Sequence, residues 1–445
     1  MPLASRATGI PCDLPPLPRA SHGSITAMTA PEILQPQATE LAALVQALHA
    51  EARPWLPAGQ ASRLDWGAAV TPPACTVVSS RALGRILEHN PGDFTIRVEA
   101  GTPLENVQQA LGEQGQWLAV DPPWGSGALG GGSIGGLVAR GLTGGYRQRY
   151  LGIRDQLIGI GLMRADGVSA KAGGQVVKNV AGYDLMRLFT GSWGSLGLIT
   201  EVTLRTMPLP PQRSGLLVQG PLSQLTPLSE WLLGSSLTPE RIDWWSPALA
   251  AAAGLAPLPL LLLGLASVDA LTMAEQQAAI AAQTALTCEV LTSEQLGELL
   301  AVAGGGEAPP PAWLLRLGVN PAQAPLLLAA PELQGIALEL GAGSGLGVAW
   351  AGAPTNHSQS AQGGLSPDQV ASLRQRCLAL GGHLTILSQP EGSRLNAWED
   401  APSLPLIKRI KAQFDGLGQL APGRLPGAAQ TAGHPPPGPM PKRHA

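Results

Sequence analysis

Three segments of this 445-residue chain are dense in glycine and other small residues. They span residues 57–67 (PAGQASRLDWG), 121–145 (DPPWGSGALGGGSIGGLVARGLTGG) and 191–202 (GSWGSLGLITEV). Glycine loses more backbone freedom on folding than any other residue, so such segments are expected where a partner approaches the main chain closely. Main-chain N–H groups bind a phosphate only where no Cβ blocks the approach, and each segment is therefore a candidate anion site.

Neither of the two common nucleotide-binding fingerprints is present in these segments. A P-loop requires Lys followed by Ser or Thr after its glycines, and GGGSIGGLVA has neither, which disfavours phosphoryl transfer. A Rossmann site requires GxGxxG directly after the first strand of a βαβ unit. Here the richest glycine segment follows Asp121-Pro122-Pro123, far into the domain.

Composition narrows the class of protein further. A chain of this length should divide into two or three units, because single cores stop growing near about 250–300 residues. The formal charge of −3 and the charged fraction of 13% disfavour nucleic acid or anionic lipid as a partner. The four cysteines, Cys12, Cys75, Cys288 and Cys377, form no CxxC pair. Their spacing predicts no zinc or iron–sulfur site and suits a reducing compartment.

One apolar run has to be considered as a possible membrane-spanning helix. Residues 247–268 contain no charged side chain, but Pro257 and Pro259 would interrupt a spanning helix. We interpret the run as an Ala-rich helix ending near Gly254, followed by a buried strand over 258–266, and predict no transmembrane segment.

Periodicity predicts the elements around the glycine segments. Helical spacing of Leu41, Leu44, Val45 and Leu48 predicts a helix, and CTVVSS and FTIRVEA predict short strands. The segment PLENVQQALGEQGQWLAV predicts a helix that begins after Pro103 and is closed by Gly115, followed by a strand. The glycine motifs become sparse after about residue 207, so we place a domain boundary between 207 and 211.

The order of these segments resembles a known family. The chain is similar to the vanillyl-alcohol-oxidase (PCMH-type) flavoproteins and, among them, to the E subunit of bacterial-type glycolate oxidase. The resemblance rests on five segments: VEAGTPLENVQQAL (98–111), DPPWGSGALGGGSIGG (121–136), RDQLIGIGLMRADG (154–167), GGQVVKNVAGYDLMRLFTGSWGSLGLITEVTL (173–204) and LAPGR (420–424).

The resemblance implies an α+β fold, with a PCMH-type FAD-binding domain of two subdomains and an α+β cap domain. The expected divisions are a disordered leader (1–30), the FAD domain (31–207), the cap (208–400), a C-terminal return to the FAD domain (401–425) and a disordered tail (426–445). Within the leader, Met28 is an alternative start to Met1.

The resemblance also implies which residues contact FAD. The first diphosphate loop comprises Pro57, Ala58, Gly59, Gln60, Ala61 and Ser62. The second comprises Pro122, Pro123, Gly131, Gly132, Ser133, Ile134 and Gly136, and Thr143 and Gly144 follow it. Lys178 and Asn179 belong to a polar stretch near the flavin, and Gly191, Gly194 and Ile199 belong to a turn by the adenosine or the ring. The first loop holds no His or Cys, so FAD is expected to be non-covalent. RGLTGG replaces the Asn-Ala-Ser-Gly of many relatives.

The stretch KNVAGYDL allows two interpretations. Lys178 and Asn179 could lie near the flavin, where a cation stabilises the anionic reduced ring. Alternatively, Asn179 and Asp184 cap a short helix that runs through Phe189.

The catalytic residues stay unassigned. Oxidation of a 2-hydroxy acid requires a base for the hydroxyl proton, an Arg for the carboxylate and a flavin that accepts hydride. His383 and Arg394 are the only cap candidates, and a packed or surface role suits His383 better. The HAGDGN-like His pattern of the catalytic D subunit and of D-lactate dehydrogenases is absent.

Three functions are compatible with these features. The first is the E-type subunit of a glycolate oxidase complex, acting with a catalytic flavoprotein subunit and an iron–sulfur subunit on a small 2-hydroxy acid. The second is a stand-alone FAD-dependent 2-hydroxy-acid dehydrogenase of D-lactate type, and the third is a non-catalytic subunit that holds flavin for assembly. The expected location is the cytoplasm, with membrane contact only through partners.

Overall fold

The computed structural model describes residues 31–70, 75–123, 131–174, 184–305, 311–352, 365–393 and 395–429. The predicted leader and residues 430–445 of the predicted tail therefore lie outside the described residues. The N-terminal unit, as we call residues 31–208, carries these helices: α1 (Leu41–Ala50), α2 (Leu104–Gly112), α3 (Ile134–Arg140), α4 (Arg147–Tyr150), α5 (Ile153–Gln156) and α6 (Leu185–Phe189). Its strands are β1 (Ile33–Leu34), β2 (Trp55–Ala58), β3 (Thr76–Ser79), β4 (Ile86–Asn90), β5 (Thr95–Glu99), β6 (Gln116–Trp117), β7 (Leu157–Met163), β8 (Ser169–Gly173), β9 (Leu198–Arg205) and β10 (Met207–Pro208).

Two sheets and one strand pair organise the N-terminal unit. A parallel sheet has the order β1-β3-β2, an antiparallel sheet has the order β4-β5-β9-β7-β8, and β10 pairs with β6. Helix α2 buries Leu104, Val107 and Leu111, the apolar stripe expected of an amphipathic helix, against the five-stranded sheet. Helix α3 packs on the same sheet beside it.

The remaining strands form one sheet, which we call the cap sheet. They are β11 (Gln212–Gln219), β12 (Arg241–Trp245), β13 (Leu260–Ser267), β14 (Cys288–Leu291), β15 (Trp313–Gly318), β16 (Ala337–Gly341), β17 (Leu346–Ala351) and β18 (His383–Ser388). All pairs are antiparallel, in the order β14-β11-β13-β12-β16-β17-β15-β18. The helices of this part and of the C-terminus are α7 (Leu222–Gly234), α8 (Pro247–Ala252), α9 (Ala270–Ala281), α10 (Ser293–Ala303), α11 (Ala324–Leu328), α12 (Pro367–Ala379) and α13 (Leu404–Phe414).

The two faces of the cap sheet have different neighbours. Side chains of α7, α9 and α12 cover one face and bury Trp244 and Trp313 in the largest apolar core. On the opposite face, Leu314 and Val348 pack with Trp66 of the N-terminal unit. The cap sheet therefore contacts the N-terminal unit through an apolar patch, and the architecture is α+β as predicted.

Local sequence patterns predicted several of these elements correctly. Helix α1 buries Leu41, Val45 and Leu48, and Gly115 closes the α2 segment with a positive φ of 65°. The apolar run is α8 followed by β13, with Gly254 between them at φ 76°. Within the described residues, no helix has the length and hydropathy needed to cross a bilayer.

The C-terminal segment packs back onto the N-terminal unit. The Lys411 ammonium donates to the Ser195 carbonyl at 2.7 Å and pairs with Asp415 at 2.5 Å. The Gln419 amide donates to the Leu48 carbonyl at 2.9 Å, and Leu420 forms a parallel bridge with Trp55. These contacts extend the parallel sheet and carry the chain towards the glycine segments.

Candidate functional site: a cleft between the glycine segments

A cleft of about 710 Å³, partly open to solvent, lies where the three glycine segments meet. The lining residues come from the loop after β2, from α3 and the residues before it, from the turn before β9 and from the C-terminal segment: Pro57, Ala58, Gly59, Gln60, Ala61, Ser62, Arg63, Leu64, Ser80, Gly132, Ser133, Gly135, Gly136, Ala139, Arg140, Trp193, Gly194, Gly197, Leu198, Ile199 and Arg424.

The structure brings many of the predicted FAD contacts together in this cleft. The complete first loop lines it, with part of the second loop and two residues of the turn: Pro57, Ala58, Gly59, Gln60, Ala61, Ser62, Gly132, Ser133, Gly136, Gly194 and Ile199. The other described predicted residues do not line it: Pro122, Pro123, Gly131, Ile134, Thr143, Gly144 and Gly191. Lys178 and Asn179 lie outside the described residues.

Several of the predicted residues outside the cleft have structural roles. Ile134 is fully buried in the core below α3. Gly191 has a φ of 78° and donates its N–H to the Val138 carbonyl at 3.1 Å. Gly144 donates its N–H to the Asp121 carboxylate at 3.1 Å.

The two diphosphate loops are in direct contact. A Cβ added to Gly59 would collide with the Ser133 hydroxyl, so only glycine allows this approach. Ser79 fixes the first loop because its hydroxyl donates to the Gly59 carbonyl at 2.7 Å. The Gln60 amide donates to the Gly101 carbonyl at 2.6 Å.

Some main-chain donors of the second loop are already used within the protein. The Gly135 N–H donates to the Ala100 carbonyl at 2.8 Å, and the Gly136 N–H donates to the Ser133 hydroxyl at 3.1 Å. Ile134 donates to a carbonyl in the same way. These three N–H groups are therefore not free for a phosphate, although the sequence predicted main-chain donors here.

Two arginines supply positive charge to the cleft instead. A Cβ on Gly132 would lie 2.7 Å from Arg63 Nη1 and 3.5 Å from Arg140 Nη2, so the two guanidinium groups flank the same point. Both lie over the ring of Trp66, with Cζ 5.2 and 5.7 Å from its centroid. No acidic side chain in the described parts of the chain forms an ion pair with Arg140.

Burial disfavours the charged form of both arginines, and repulsion by Arg63 adds to this effect at Arg140. Burial and the neighbouring charge of Arg63 lower the pKa of the Arg140 guanidinium to about 9. Burial lowers the pKa of Arg63 to about 10, partly offset by Asp65. Both groups stay protonated at neutral pH, and a doubly charged anion between them would relieve their repulsion.

Arg424 closes the cleft from the C-terminal segment. Its Nε donates to the Ala68 carbonyl at 2.7 Å, and its Nη2 donates to the Leu64 carbonyl. Burial lowers its pKa to about 10. The side chain therefore fixes the residues that follow the first loop.

The residues predicted from the sequence did not include these lining residues: Arg63, Arg140, Trp193 and Arg424. A local signal existed for the first two, because one Arg directly follows the first loop and the other ends the short helix after the second. No local signal could bring Arg424 to the cleft, since its partners are distant in sequence.

The remaining candidate side chains do not line the cleft. His383 begins β18 and packs over Gly318, and burial followed by the charge of Arg316 lowers its pKa. Asp184 occupies the N-cap position of α6, which runs to Phe189 as the second interpretation predicted, but its side chain makes no capping hydrogen bond and pairs with Arg187 at 3.0 Å. Arg394 lies outside the described residues. Within the described residues, no set of three metal-ligating side chains converges.

Comparison with known proteins assigns the domain. Residues 33–173 match the profile of a family described as "FAD binding domain". The chain is 37% identical over 152 residues to glycolate oxidase subunit GlcE of Escherichia coli K12, covering 33% of this chain and 42% of that protein. It is 35% identical over 182 residues to D-2-hydroxyglutarate dehydrogenase of Xanthomonas citri pv. viticola, covering 41% and 38%.

Two further matches extend the comparison. Glycolate oxidase subunit GlcD of Bacillus subtilis is 30% identical over 187 residues, covering 42% of this chain and 38% of that protein. The matches to GlcE, to D-2-hydroxyglutarate dehydrogenase and to GlcD each span less than half of the relative's length. A solved structure of alkyldihydroxyacetonephosphate synthase superimposes with a TM-score of 0.61 at 15% identity, covering 88% of this chain and 77% of that one, which shows a shared fold.

The cleft fits the cofactor that this family binds. Its glycines leave space that a Cβ would fill, and its two arginines complement the charge of a diphosphate. Residues 33–173 of this chain are therefore similar to an FAD binding domain in sequence, and they contribute most of the residues that line the cleft.

Proposed function

We propose that the chain holds FAD in this cleft and acts as the E-type subunit of a complex that oxidises glycolate, or a similar 2-hydroxy acid, to the 2-oxo acid. The observation that supports this best is the convergence of two glycine loops and two arginines inside a domain similar to glycolate oxidase subunit GlcE. Bound FAD would supply the hydride acceptor.

The roles of the chain's own residues follow from their positions. Gly59 and Gly132 let the main chain approach the dinucleotide, and Arg63 and Arg140 neutralise its diphosphate. Arg424 keeps the residues that follow the first loop in place through two carbonyls.

The kinds of side chain that line the cleft support a role as one subunit of a complex. The described lining of the cleft includes no His, Glu or Asp that could take the hydroxyl proton of a substrate. Cys75, Cys288 and Cys377 are separate free thiols, so we assign the onward electron transfer to an iron–sulfur partner and substrate deprotonation to a catalytic flavoprotein partner. Such a complex would work in the cytoplasm or at a membrane through its partners.

The flavin is expected to be released by acid. None of the described residues that line the cleft is a His, Cys or Tyr, the side chains that form covalent flavin links. Precipitation of the purified yellow protein with acid should therefore leave all flavin absorbance in the supernatant. Flavin retained in the washed pellet would contradict non-covalent binding.

The isolated chain is expected to oxidise glycolate slowly. With an artificial electron acceptor, the purified chain should turn over less than about once per second, and activity should rise when both partner subunits are added. The control is the same mixture without this chain. Faster turnover by the chain alone would favour a complete dehydrogenase.

A stand-alone 2-hydroxy-acid dehydrogenase is the second candidate, because the matched region is also similar to D-2-hydroxyglutarate dehydrogenase. Anaerobic addition of glycolate, D-lactate or D-2-hydroxyglutarate tests it: bleaching of the flavin near 450 nm by one acid, without partners, would support this candidate. A redox titration of the assembled complex separates an electron-transferring subunit from one that only holds flavin for assembly.

A further inference from the structure

Four charged side chains meet between the N-terminal unit and the cap sheet, outside the cleft. We call Asp121, Arg241, Asp243 and Glu339 the interdomain charge cluster. The Arg241 guanidinium is 2% exposed and contacts all three carboxylates. Its Nη1 lies 3.5 Å from Asp121, its Nε 2.5 Å from Asp243 and its Nη2 2.6 Å from Glu339.

Asp121 connects this cluster to the loop that follows α3. Its carboxylate accepts the Gly144 N–H at 3.1 Å and the Tyr146 N–H at 3.3 Å, and Arg241 lies over the Tyr146 ring at 5.2 Å. Helix α3 ends at Arg140, which lines the cleft, and Gly141 with a φ of 60° leads the chain directly into this loop. Through Asp121, the cap sheet therefore contacts the loop that immediately follows one wall of the cleft.

The space around the loop is tightly filled. A Cβ on Gly145 would collide with both Arg241 and Asp243, and a Cβ on Gly144 would lie 2.6 Å from Asp121 Oδ1. A small displacement of the cluster would therefore move the loop, because packed interiors do not absorb such shifts.

The cluster has more negative than positive charge. Three ionised carboxylates against one guanidinium would leave two uncompensated charges. The nearby Arg213 does not balance them, because Glu240 binds it at 3.0 Å and also accepts the Tyr150 hydroxyl at 2.5 Å. Asp243 is fully buried, and its Oδ1 has no hydrogen-bond partner in the described part of the chain. A buried uncompensated charge is strongly unfavourable, so the cluster should hold a proton.

The order of protonation follows from burial and from the shared guanidinium. Burial raises the pKa of the Glu339 carboxyl to about 8, against the opposing effect of Arg241 and with Asp243 and Asp121 adding to the rise. Burial raises the pKa of Asp121 to about 6, and that of Asp243 is raised as well. At pH 7, Glu339 keeps its proton.

We propose that the interdomain charge cluster is a proton-dependent positioning device, in which a closed, protonated cluster holds the loop after α3, and thereby the FAD cleft, in its binding geometry. The proposal rests on the proposed FAD site. Each raised carboxyl pKa means that the folded, closed state binds protons more tightly than the open one. Its stabilisation is complete below about pH 4, the ordinary range of carboxyl groups, and is lost as pH rises through about 6 and then about 8.

The test is the FAD dissociation constant of the full chain at pH 7 and pH 9, measured by tryptophan fluorescence quenching. If FAD binds only the state in which a carboxyl of pKa about 8 is protonated, binding weakens about tenfold between these values. Glu339→Gln imitates the protonated form and should remove this tenfold factor, leaving only the loss of about twofold that partial deprotonation of Arg140, of pKa about 9, causes in every variant. Glu289→Gln, an exposed Glu on the edge strand β14, is the matched control and should keep the tenfold change.

A second measurement separates this proposal from the FAD assignment. The thermal unfolding midpoint of the flavin-free chain should fall between pH 7 and pH 9 in the wild type and Glu289→Gln, and fall clearly less in Glu339→Gln. If this holds but FAD binds at neither pH, the FAD site fails and the cluster stands. Equal pH dependence of the midpoint or of FAD affinity in the wild type and Glu339→Gln would overturn the proposal. If Glu339→Gln does not fold, Asp243→Asn replaces it and should shift the FAD-binding transition to lower pH.

Discussion

Replacing Gly132 with valine is expected to abolish FAD binding while the chain still folds. Gly132 has a φ of 68°, and an added Cβ would lie 2.7 Å from Arg63 Nη1, at the point that both cleft arginines flank. Valine would therefore displace the diphosphate from its charged donors, each worth about 1.5–3 kcal/mol. The loss of two such contacts weakens binding by more than about 100-fold, which the flavin-to-protein absorbance ratio of the purified variant measures.

Gly254→Val is the matched control for this experiment. Gly254 also has a positive φ, 76°, but it lies between α8 and β13 with nothing within 4 Å of an added Cβ. Both variants carry the backbone strain of a left-handed valine, about 1–2 kcal/mol, so any difference in flavin content reports the cleft. Normal flavin content in Gly132→Val would show that this loop does not hold the cofactor.

Arg140→Met is expected to weaken FAD binding by about 10- to 100-fold, the value of one charge-assisted hydrogen bond. Arg140 has no ion-pair partner among the described residues and shares the cleft with Arg63, so its removal leaves no buried carboxylate unpaired. Titration with FAD at several NaCl concentrations measures the effect. The variant should show a smaller salt dependence than the wild type, since one cation fewer faces the diphosphate.

Two substitutions separate charge from packing in that result. Arg140→Lys keeps the charge without the planar fork and should recover part of the affinity. Arg205→Met removes an exposed arginine at the end of β9 and should bind FAD like the wild type. Equal affinity of Arg140→Met and the wild type would exclude the arginine pair from diphosphate binding.

Local patterns in the sequence predicted two helices of the N-terminal unit. The spacing of Leu41, Val45 and Leu48 predicted α1, and Pro103 with Gly115 bounded the α2 segment. These predictions succeeded because helix periodicity and turn glycines depend on neighbouring residues only. Asp184 lies at the N-cap position of α6 as predicted, but its carboxylate pairs with Arg187 and makes no capping hydrogen bond.

The glycine segments show that residue types and spacing alone do not predict hydrogen-bond partners. The sequence predicted that they meet an anion, and the structure places residues of all three on one cleft. The sequence did not show that the N–H groups of Gly135 and Gly136 already donate hydrogen bonds within the protein. Hydrogen-bond partners such as the Ala100 carbonyl come from a different strand segment, and their positions depend on sheet packing.

The resemblance of five segments to a known family predicted the α+β fold. The sequence by itself determined that the main chain can be approached closely in three places and that the first loop offers no His or Cys for a covalent flavin link. These properties depend on the residue types present and their local spacing. Only the tertiary structure brought Arg63 beside Arg140, Arg424 to the Leu64 carbonyl 360 residues away, and Arg241 to Asp121. Charge pairing acts through space, so its partners are determined by how the sheets pack and not by order along the chain.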